Sequence, residues 1–157
     1  QMSMSLTNQN ITPYSGQAAF LPNQPLLHNC VVSASQDTPL VPGAIVTFAN
    51  DANLGYVTPV KQAAVTDTPL GVVVGNPIKS GFNALDRVSV YPVNSYVYME
   101  AATGTINPGD KLQFNANNQV AATSTASNGY IGIAMTGSTV EGEFVVVQIQ
   151  PGMQAAG

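Results

Sequence analysis

Short apolar runs, separated by turn-forming residues, fill the chain from about residue 29 to residue 151. Each run is rich in β-branched and aromatic side chains and is bounded by Gly, Pro, Asn or Asp, which is typical of β-strands. The runs are 31–32, 45–48, 56–60, 72–74, 88–91, 96–99, 112–114, 131–135 and 144–149. No stretch of ten or more residues shows a helical period. The pattern predicts an all-β fold, either a sandwich or a small barrel.

The alternation of apolar and polar positions predicts which side chains face the core. Residues 111–115 alternate strictly, so Leu112 and Phe114 are expected to point inward. The same alternation predicts four more inward side chains: Val88, Val90, Tyr96 and Tyr98. Residues 92–95 are expected to form the turn between these two runs. The unbroken apolar run 145–147 favours a central strand covered on both faces.

Three segments of turn and strand residues occur twice, which predicts two pseudo-repeated halves. The matched pairs are 42–51 with 108–117, 70–75 with 131–137, and 87–92 with 143–148. No catalytic residue type is fixed within the repeat. The repeat therefore favours a structural or binding protein over an enzyme.

The first matched segment of each half begins with a Pro-Gly pair. Pro42 and Pro108 fix φ at the second position of a turn, and Gly43 and Gly109 accept a positive φ at the third. Both pairs are therefore predicted to form type II turns that lead into a strand. In the second copy, Asp110 is expected to cap nearby backbone N–H groups.

Residues 1–28 differ in composition from the rest of the chain. They are rich in Gln, Asn, Ser and Met at the start, contain three prolines later, and show no apolar period. The sequence thus predicts an extended N-terminal arm (1–28) before a β-barrel or sandwich domain (29–157). The arm residues expected to bind a partner are Leu6, Ile11, Tyr14, Phe20 and Leu21. Two interpretations stay open: the arm wraps its own domain, or it lies on a partner.

Charge is scarce along the whole chain. Only 8% of residues are charged, and the net charge is −4, whereas charged residues make up about 25% of a typical soluble domain. The four basic residues are Lys61, Lys79, Arg87 and Lys111. Because binding to nucleic acid or to an anionic membrane needs clustered positive charge, we expect neither partner. A surface made of neutral polar side chains suits a protein packed against neighbours.

Catalytic chemistry has little support in the sequence. His28 is the only histidine and Cys30 the only cysteine. A dyad of the two is not expected, because side chains two apart on a strand point the same way without facing each other. Cys30 is interpreted as a small buried hydrophobe. Calcium binding requires a loop dense in oxygen ligands, and residues 50–53 match such a loop only weakly. We expect no enzyme, no cofactor and no metal site.

Five motifs follow one another between residues 39 and 151: 41–46 (VPGAIV), 68–73 (TPLGVV), 102–112 (ATGTINPGDKL), 131–134 (IGIA) and 142–147 (GEFVVV). In these motifs the segment resembles the phage head decoration or cement proteins. Each motif alone is a turn plus a strand, and it is their order that is specific. The arm has no counterpart in the family pattern.

The resemblance implies a small β-barrel or β-tulip-like domain on the outer surface of the capsid, produced in the host cytoplasm. It implies a structural virion protein that stabilises the mature head by bridging major capsid protein subunits. It also implies self-association as a homotrimer, with a dimer as the alternative. An extended arm could add backbone hydrogen bonds to a strand edge of the capsid protein while its apolar side chains fill pockets.

Two functions from other classes remain as alternatives. One is a carbohydrate- or receptor-binding β-module of a phage tail or a bacterial surface. The other is a hydrolase that uses paired carboxylates across the fold. The acidic side chains considered for such a pair are Asp51, Asp67, Asp86, Asp110, Glu141 and Glu143. Most of them lie in predicted turns, where they have an adequate structural role.

Overall fold

The computed structural model describes residues 13–76, 78 and 80–155, which contain ten β-strands. In chain order they are β1 (Leu27–Val32), β2 (Ile45–Phe48), β3 (Thr58–Gln62), β4 (Gly71–Val73), β5 (Arg87–Tyr91), β6 (Tyr96–Glu100), β7 (Lys111–Phe114), β8 (Val120–Ala122), β9 (Gly129–Ala134) and β10 (Phe144–Met153). The predicted all-β class is confirmed. Within the described ranges, no helix is long and apolar enough to cross a membrane.

The strands form two sheets of five strands each. The first sheet is a closed barrel in the order β1-β3-β2-β4-β5, which we call the barrel half. The second has the order β6-β10-β9-β7-β8, which we call the sheet half. Neighbouring strands are antiparallel except for β1 and β3, which run parallel.

The two halves share one pairing scheme. In the barrel half, β2 pairs with β3 and β4, β4 pairs with β5, and β5 pairs with β1. In the sheet half, β7 pairs with β8 and β9, β9 pairs with β10, and β10 pairs with β6. Three residue pairs join β1 to β3, whereas a single parallel bridge, Ala101 with Val120, joins the end of β6 to β8. Two pseudo-repeated halves would pair in this way; the repeat itself stays a prediction.

Two clusters of buried apolar side chains make up the core. One fills the barrel half and consists of Cys30, Val32, Leu40, Ala44, Val46, Val60, Val73, Val88 and Val90. The other joins the halves, because Ile45, Val72 and Tyr91 of the barrel half pack in the same cluster as Leu112 and Val147 of the sheet half. The halves therefore bury a common apolar interface, which favours their folding as one unit.

A buried amide also links the halves. Asn118, in the turn between β7 and β8, accepts hydrogen bonds at its Oδ1 from the Ile45 N–H (2.9 Å) and from Gln62 Nε2 (2.7 Å). Its backbone has a φ of +59°, a conformation that asparagine tolerates better than most residues. This neutral amide satisfies a buried backbone donor that the barrel half leaves without a strand partner.

The structure confirms most inward-facing predictions and corrects two, those of Tyr96 and Tyr98. Leu112, Phe114, Val88, Val90 and the run 145–147 are buried, and β10 lies between two other strands. In β6, however, the buried side chains are Val97 and Met99, and the two predicted tyrosines are half-buried on the opposite face. The Tyr96 hydroxyl accepts a hydrogen bond there from Gln148 Nε2 (3.2 Å). A phenol needs such a polar partner, and the outer face supplies it.

The Pro-Gly turns have the predicted geometry. Gly43 has a φ of +83° and Gly109 a φ of +93°. The turns are closed by hydrogen bonds from the Ala44 N–H to the Val41 carbonyl (3.0 Å) and from the Asp110 N–H to the Asn107 carbonyl (3.0 Å). The Asp110 carboxylate accepts the Asn107 N–H (2.8 Å), which confirms the predicted cap.

The described part of the arm lies against its own domain, along the edge of β6 that faces away from β10. Ala18 forms an antiparallel bridge with Val97. The flanking bonds run from Gly16 N to Tyr98 O, from Tyr98 N to Gln17 O, and from Ala19 N to Tyr96 O, each 2.9 Å long. Residues 16–19 thus act as a short extra strand. The first barrel strand begins at Leu27, and the division of the chain into arm and body stays a prediction.

Candidate functional site

An open apolar groove lies where the arm leaves β6. Its volume is about 520 Å³, and its lining consists of residues 21–25 and 92–95, which include three prolines. Leu21 is 52% exposed and Val93 55% exposed. Contiguous exposed apolar surface of this kind is typical of a protein-binding site.

Phe20 stands beside this groove in a strained and exposed position. Its side chain is 59% exposed, and its ring packs against that of Tyr96 with centroids 5.6 Å apart. Its backbone φ is +63°, which costs a bulky residue free energy and is rare outside functional sites and tight turns. The chain thus holds a large aromatic side chain toward solvent at a conformational cost.

Gln24 fixes the segment that carries these side chains. Its Oε1 accepts a hydrogen bond from the Tyr96 N–H, and its Nε2 donates to the Tyr96 carbonyl (2.8 Å). One side chain therefore satisfies both backbone groups of a residue at the strand edge. Together with Pro22 and Pro25, this clamp holds the groove in shape before any partner binds, which reduces the entropic cost of binding.

The groove continues into a second one that carries a positive charge. Val93 and Asn94 line both grooves, and the second is also lined by Lys111 and Tyr130. Lys111 Nζ lies 5.1 Å from the centroid of the Tyr130 ring, in a cation–π arrangement. The combined surface offers apolar contacts at one end and a cation at the other.

The predicted arm residues have different fates. Phe20 and Leu21 are exposed beside and within the groove. Tyr14 is half-buried against its own domain: a Cβ at Gly75 would lie 2.9 Å from its ring. Leu6 and Ile11 lie outside the described residues. Sequence reasoning did not identify Val93. The available sign was a valine within the predicted turn 92–95, where an apolar side chain is expected to be exposed.

Five of the six acidic side chains considered for catalysis, all except Glu141, accept hydrogen bonds within turns. Asp67, Asp86 and Asp110 each accept the backbone N–H three residues earlier, at 2.8 to 2.9 Å. Asp51 accepts bonds from the Ser33 hydroxyl (2.7 Å) and from the Ala34 N–H (2.9 Å). The Ser33 bond, followed by the Ala34 bond, lowers the pKa of Asp51 below its ordinary value.

Glu143 is held in the same manner. Its Oε1 accepts the Ser138 hydroxyl (2.9 Å) and the Thr139 N–H (3.3 Å). The Ser138 bond, followed by the Thr139 bond, lowers the pKa of the carboxyl group. Within the described residues, no three His, Cys, Asp or Glu side chains come together to hold a metal ion.

His28 and Cys30 point to opposite sides of β1. Cys30 is buried in the barrel core, and desolvation raises the pKa of its thiol. His28 is exposed on the outer surface. The two were expected to point the same way, and an irregularity in β1 between Leu27 and Cys30 changes their relation. Cys30 behaves as the small buried hydrophobe that was predicted.

Comparisons with known proteins give a consistent result. The family model described as phage cement protein matches residues 31–149. Among solved structures, the N base of the head fiber protein gp8.5 of bacteriophage phi29 matches with a TM-score of 0.56 and 19% sequence identity. That match covers 80% of this chain and 95% of the N-base chain, and it shows a shared fold. No curated protein matches the chain.

Proposed function

The chain belongs to the phage cement protein family, and from this premise we propose that it attaches to the outer surface of the head through the groove beside Phe20. A cement protein is a structural, capsid-associated component of the virion, and its family is not a class of enzymes. We propose the major capsid protein as the direct partner and a homotrimer as the binding form. In this role the protein bridges neighbouring capsid subunits and stabilises the mature lattice.

The exposed apolar side chains around the groove carry this proposal. Phe20, Leu21 and Val93 are more than half exposed and lie on or beside one concave surface. Aromatic anchors that become fully desolvated dominate the free energy of protein interfaces, and truncating one to alanine costs about 2 kcal/mol or more of binding free energy. Of the residues that the sequence predicted for binding, the proposal retains Phe20 and Leu21 and adds Val93.

Scarce charge supports docking that depends on shape and apolar contact. Only 8% of the residues are charged, so long-range electrostatic steering contributes little to association. Three copies joined as a trimer would gain affinity through effective concentration, even if each groove binds weakly. Because the trimer binds the assembled lattice and not free subunits, binding would shift the assembly equilibrium toward the mature head.

A matched pair of triple variants tests the proposed surface. The groove variant is Phe20→Ala, Leu21→Ala and Val93→Ala, whose native side chains are 59%, 52% and 55% exposed. The control is Phe48→Ala, Leu85→Ala and Val140→Ala, whose native side chains are 62%, 55% and 56% exposed elsewhere on the surface. Both variants remove the same atoms from similarly exposed positions.

Co-sedimentation with undecorated mature heads gives the readout. We expect the groove variant to bind at least about tenfold more weakly, because it loses three apolar anchors, and the control to bind as the wild type does. Thermal unfolding of each variant confirms that the domain remains folded. Equal binding of both variants would overturn the assignment of this surface, and light scattering of the free protein tests the trimer separately.

A further inference from the structure

The barrel half carries a second surface site, which is formed by a β-bulge in β1. Leu27 pairs with Val90 and Cys30 pairs with Val88, so β1 advances by three residues while β5 advances by two. His28 and Asn29 of β1 therefore lie opposite the single residue Ser89. Such bulges redirect side chains and are frequent next to functional sites.

The bulge places two adjacent polar side chains on the outer surface. In a regular strand, neighbours alternate between the two faces, and one of this pair would enter the barrel core. Here His28 and Asn29 are both exposed, and burial resumes at Cys30. Asn29 has a φ of +62°, which asparagine tolerates at a modest cost.

Arg87 completes a group of hydrogen-bond donors. Its Nη1 donates to Asn29 Oδ1 at 3.0 Å, which orients the guanidinium group with one of its five N–H donors. Because Asn29 Oδ1 accepts this bond, the amide presents its Nδ2 donors on the other side. His28 Nδ1 and Ser89 Oγ lie 3.4 Å apart in the same group.

These side chains line one groove of about 420 Å³. Val74 and Phe82 contribute apolar surface to it, and no acidic side chain is among the described residues that line it. The chain has a net charge of −4, yet its only arginine and its only histidine meet here. The groove is therefore a local concentration of donors on an acidic protein.

We propose that this groove binds a carboxylate group. A planar guanidinium ion pairs with a planar carboxylate through two parallel hydrogen bonds, and the Asn29 amide can add a third. Phosphate groups are usually bound by several cations or by a series of backbone N–H groups, and here one arginine is surrounded by neutral side chains. The carboxylate can belong to a small free acid or to an Asp or Glu side chain of a neighbouring protein.

NMR titration of the full chain tests the site with defined probes. We expect acetate and a capped aspartate peptide to shift the resonances of Asn29, Arg87 and Ser89 in a saturable manner. Dissociation constants of order 1–10 mM are expected, because an exposed ion pair is weakened by water. Chloride at the same ionic strength is the control. Equal shifts with chloride, or stronger saturation with inorganic phosphate, would overturn the carboxylate assignment.

Two substitutions at the arginine separate charge from geometry. Arg87→Gln should weaken carboxylate binding at least tenfold, and Arg87→Lys should give an intermediate loss because it keeps the charge without the planar fork. Lys61→Gln removes an equal charge outside this groove and should leave acetate binding unchanged. Glycine adopts the positive φ of position 29 without strain. Asn29→Gly should therefore weaken binding without unfolding the barrel. Undiminished binding by Arg87→Gln would refute the site.

Co-sedimentation with undecorated mature heads distinguishes the two possible sources of the carboxylate. If the ligand is an acidic side chain of the capsid, Arg87→Gln weakens co-sedimentation with heads as well as acetate binding. If the ligand is a small free acid, the same variant loses acetate binding and decorates heads normally. Either result supports the site. Acetate binding does not depend on the groove beside Phe20. Failure of one proposal is therefore distinguishable from failure of the other.

Discussion

The barrel half and the sheet half join their strands in the same order, but they cover the first strand differently. In the barrel half, β3 pairs along β1 through three residues and closes the cylinder. In the sheet half, β8 reaches the end of β6 through one bridge, and arm residues 16–19 occupy the rest of that edge. An unpaired edge is an aggregation risk. The comparison shows that a segment outside the five strands of the sheet half covers the part of the β6 edge that β8 leaves unpaired.

This difference also explains where Phe20 and Leu21 lie. Ala19 is the last arm residue with a backbone bond to β6, and Phe20 and Leu21 follow directly. The segment that covers the edge therefore also positions the residues proposed to bind the capsid. The barrel half, which needs no such cover, has no counterpart of this segment among its described residues.

The largest difference in stability between alanine variants of the two halves is expected at a matched pair of phenylalanines. Phe48 in β2 and Phe114 in β7 occupy matched positions of the predicted repeat, yet Phe48 is 62% exposed and Phe114 is 4% exposed. Phe114→Ala should lower the free energy of unfolding by about 3–5 kcal/mol because it leaves a cavity. Phe48→Ala should change it by less than about 0.5 kcal/mol. Urea unfolding measures both, and similar losses would show that the two sites are not distinguished by burial.

Alanine substitutions at a matched pair of glycines, Gly71 and Gly132, are expected to cost less stability than Phe114→Ala, and the same amount in each half. A Cβ at Gly71 would lie 2.1 Å from the Tyr91 carbonyl oxygen, and a Cβ at Gly132 would lie 2.0 Å from the Gln148 carbonyl oxygen. Either alanine substitution should therefore cost about 2–3 kcal/mol of stability, because the neighbouring strand must move. Gly104→Ala is the control, since its Cβ would meet no atom within 4 Å and only its φ of +108° opposes the change. Wild-type urea midpoints for Gly71→Ala and Gly132→Ala would contradict the close approach.

The smallest effect concerns acid stability. The hydrogen bonds to Asp51 in the barrel half and to Glu143 in the sheet half lower the folded-state pKa of each carboxyl below its ordinary value. Their stabilisation is complete above those ordinary values and is lost as the pH falls through the lowered ones. Asp51→Asn and Glu143→Gln should each flatten the loss of thermal stability between about pH 5 and pH 2. An unchanged profile in either variant would remove that carboxylate from the acid response.

The sequence predicted the strands that alternation or β-branched runs make visible, and it missed features that depend on the backbone. The β8 strand was not predicted because Val120-Ala121-Ala122 is short and rich in alanine. The pairing of residues 16–19 was also missed, because main-chain bonds hold this segment and no side-chain period marks it. The prediction that Tyr96 and Tyr98 point inward was wrong, because hydrophobicity alone cannot tell which face of a strand supplies a partner for a hydroxyl group, as Gln148 does for Tyr96.

The candidate surface was predicted only in part for the same reason. Phe20 and Leu21 were recognisable as apolar residues in a segment without a core pattern. Val93 and the Gln24 clamp depend on a turn and an arm that are about 70 residues apart in sequence and meet only in the fold. Likewise, the bulge that turns His28 and Asn29 outward leaves no pattern in a run that is otherwise a regular strand.

The solitary buried thiol of the barrel core makes the protein a reporter of its own opening. Cys30 is the only cysteine in the chain, and its side chain is enclosed within the barrel half. A thiol reagent in solution must wait for β1 to separate from its neighbours before it can react, so the labelling rate reports local unfolding. No engineered cysteine is required. The same reaction, followed on free protein and on decorated heads, measures how far attachment to the capsid suppresses that motion.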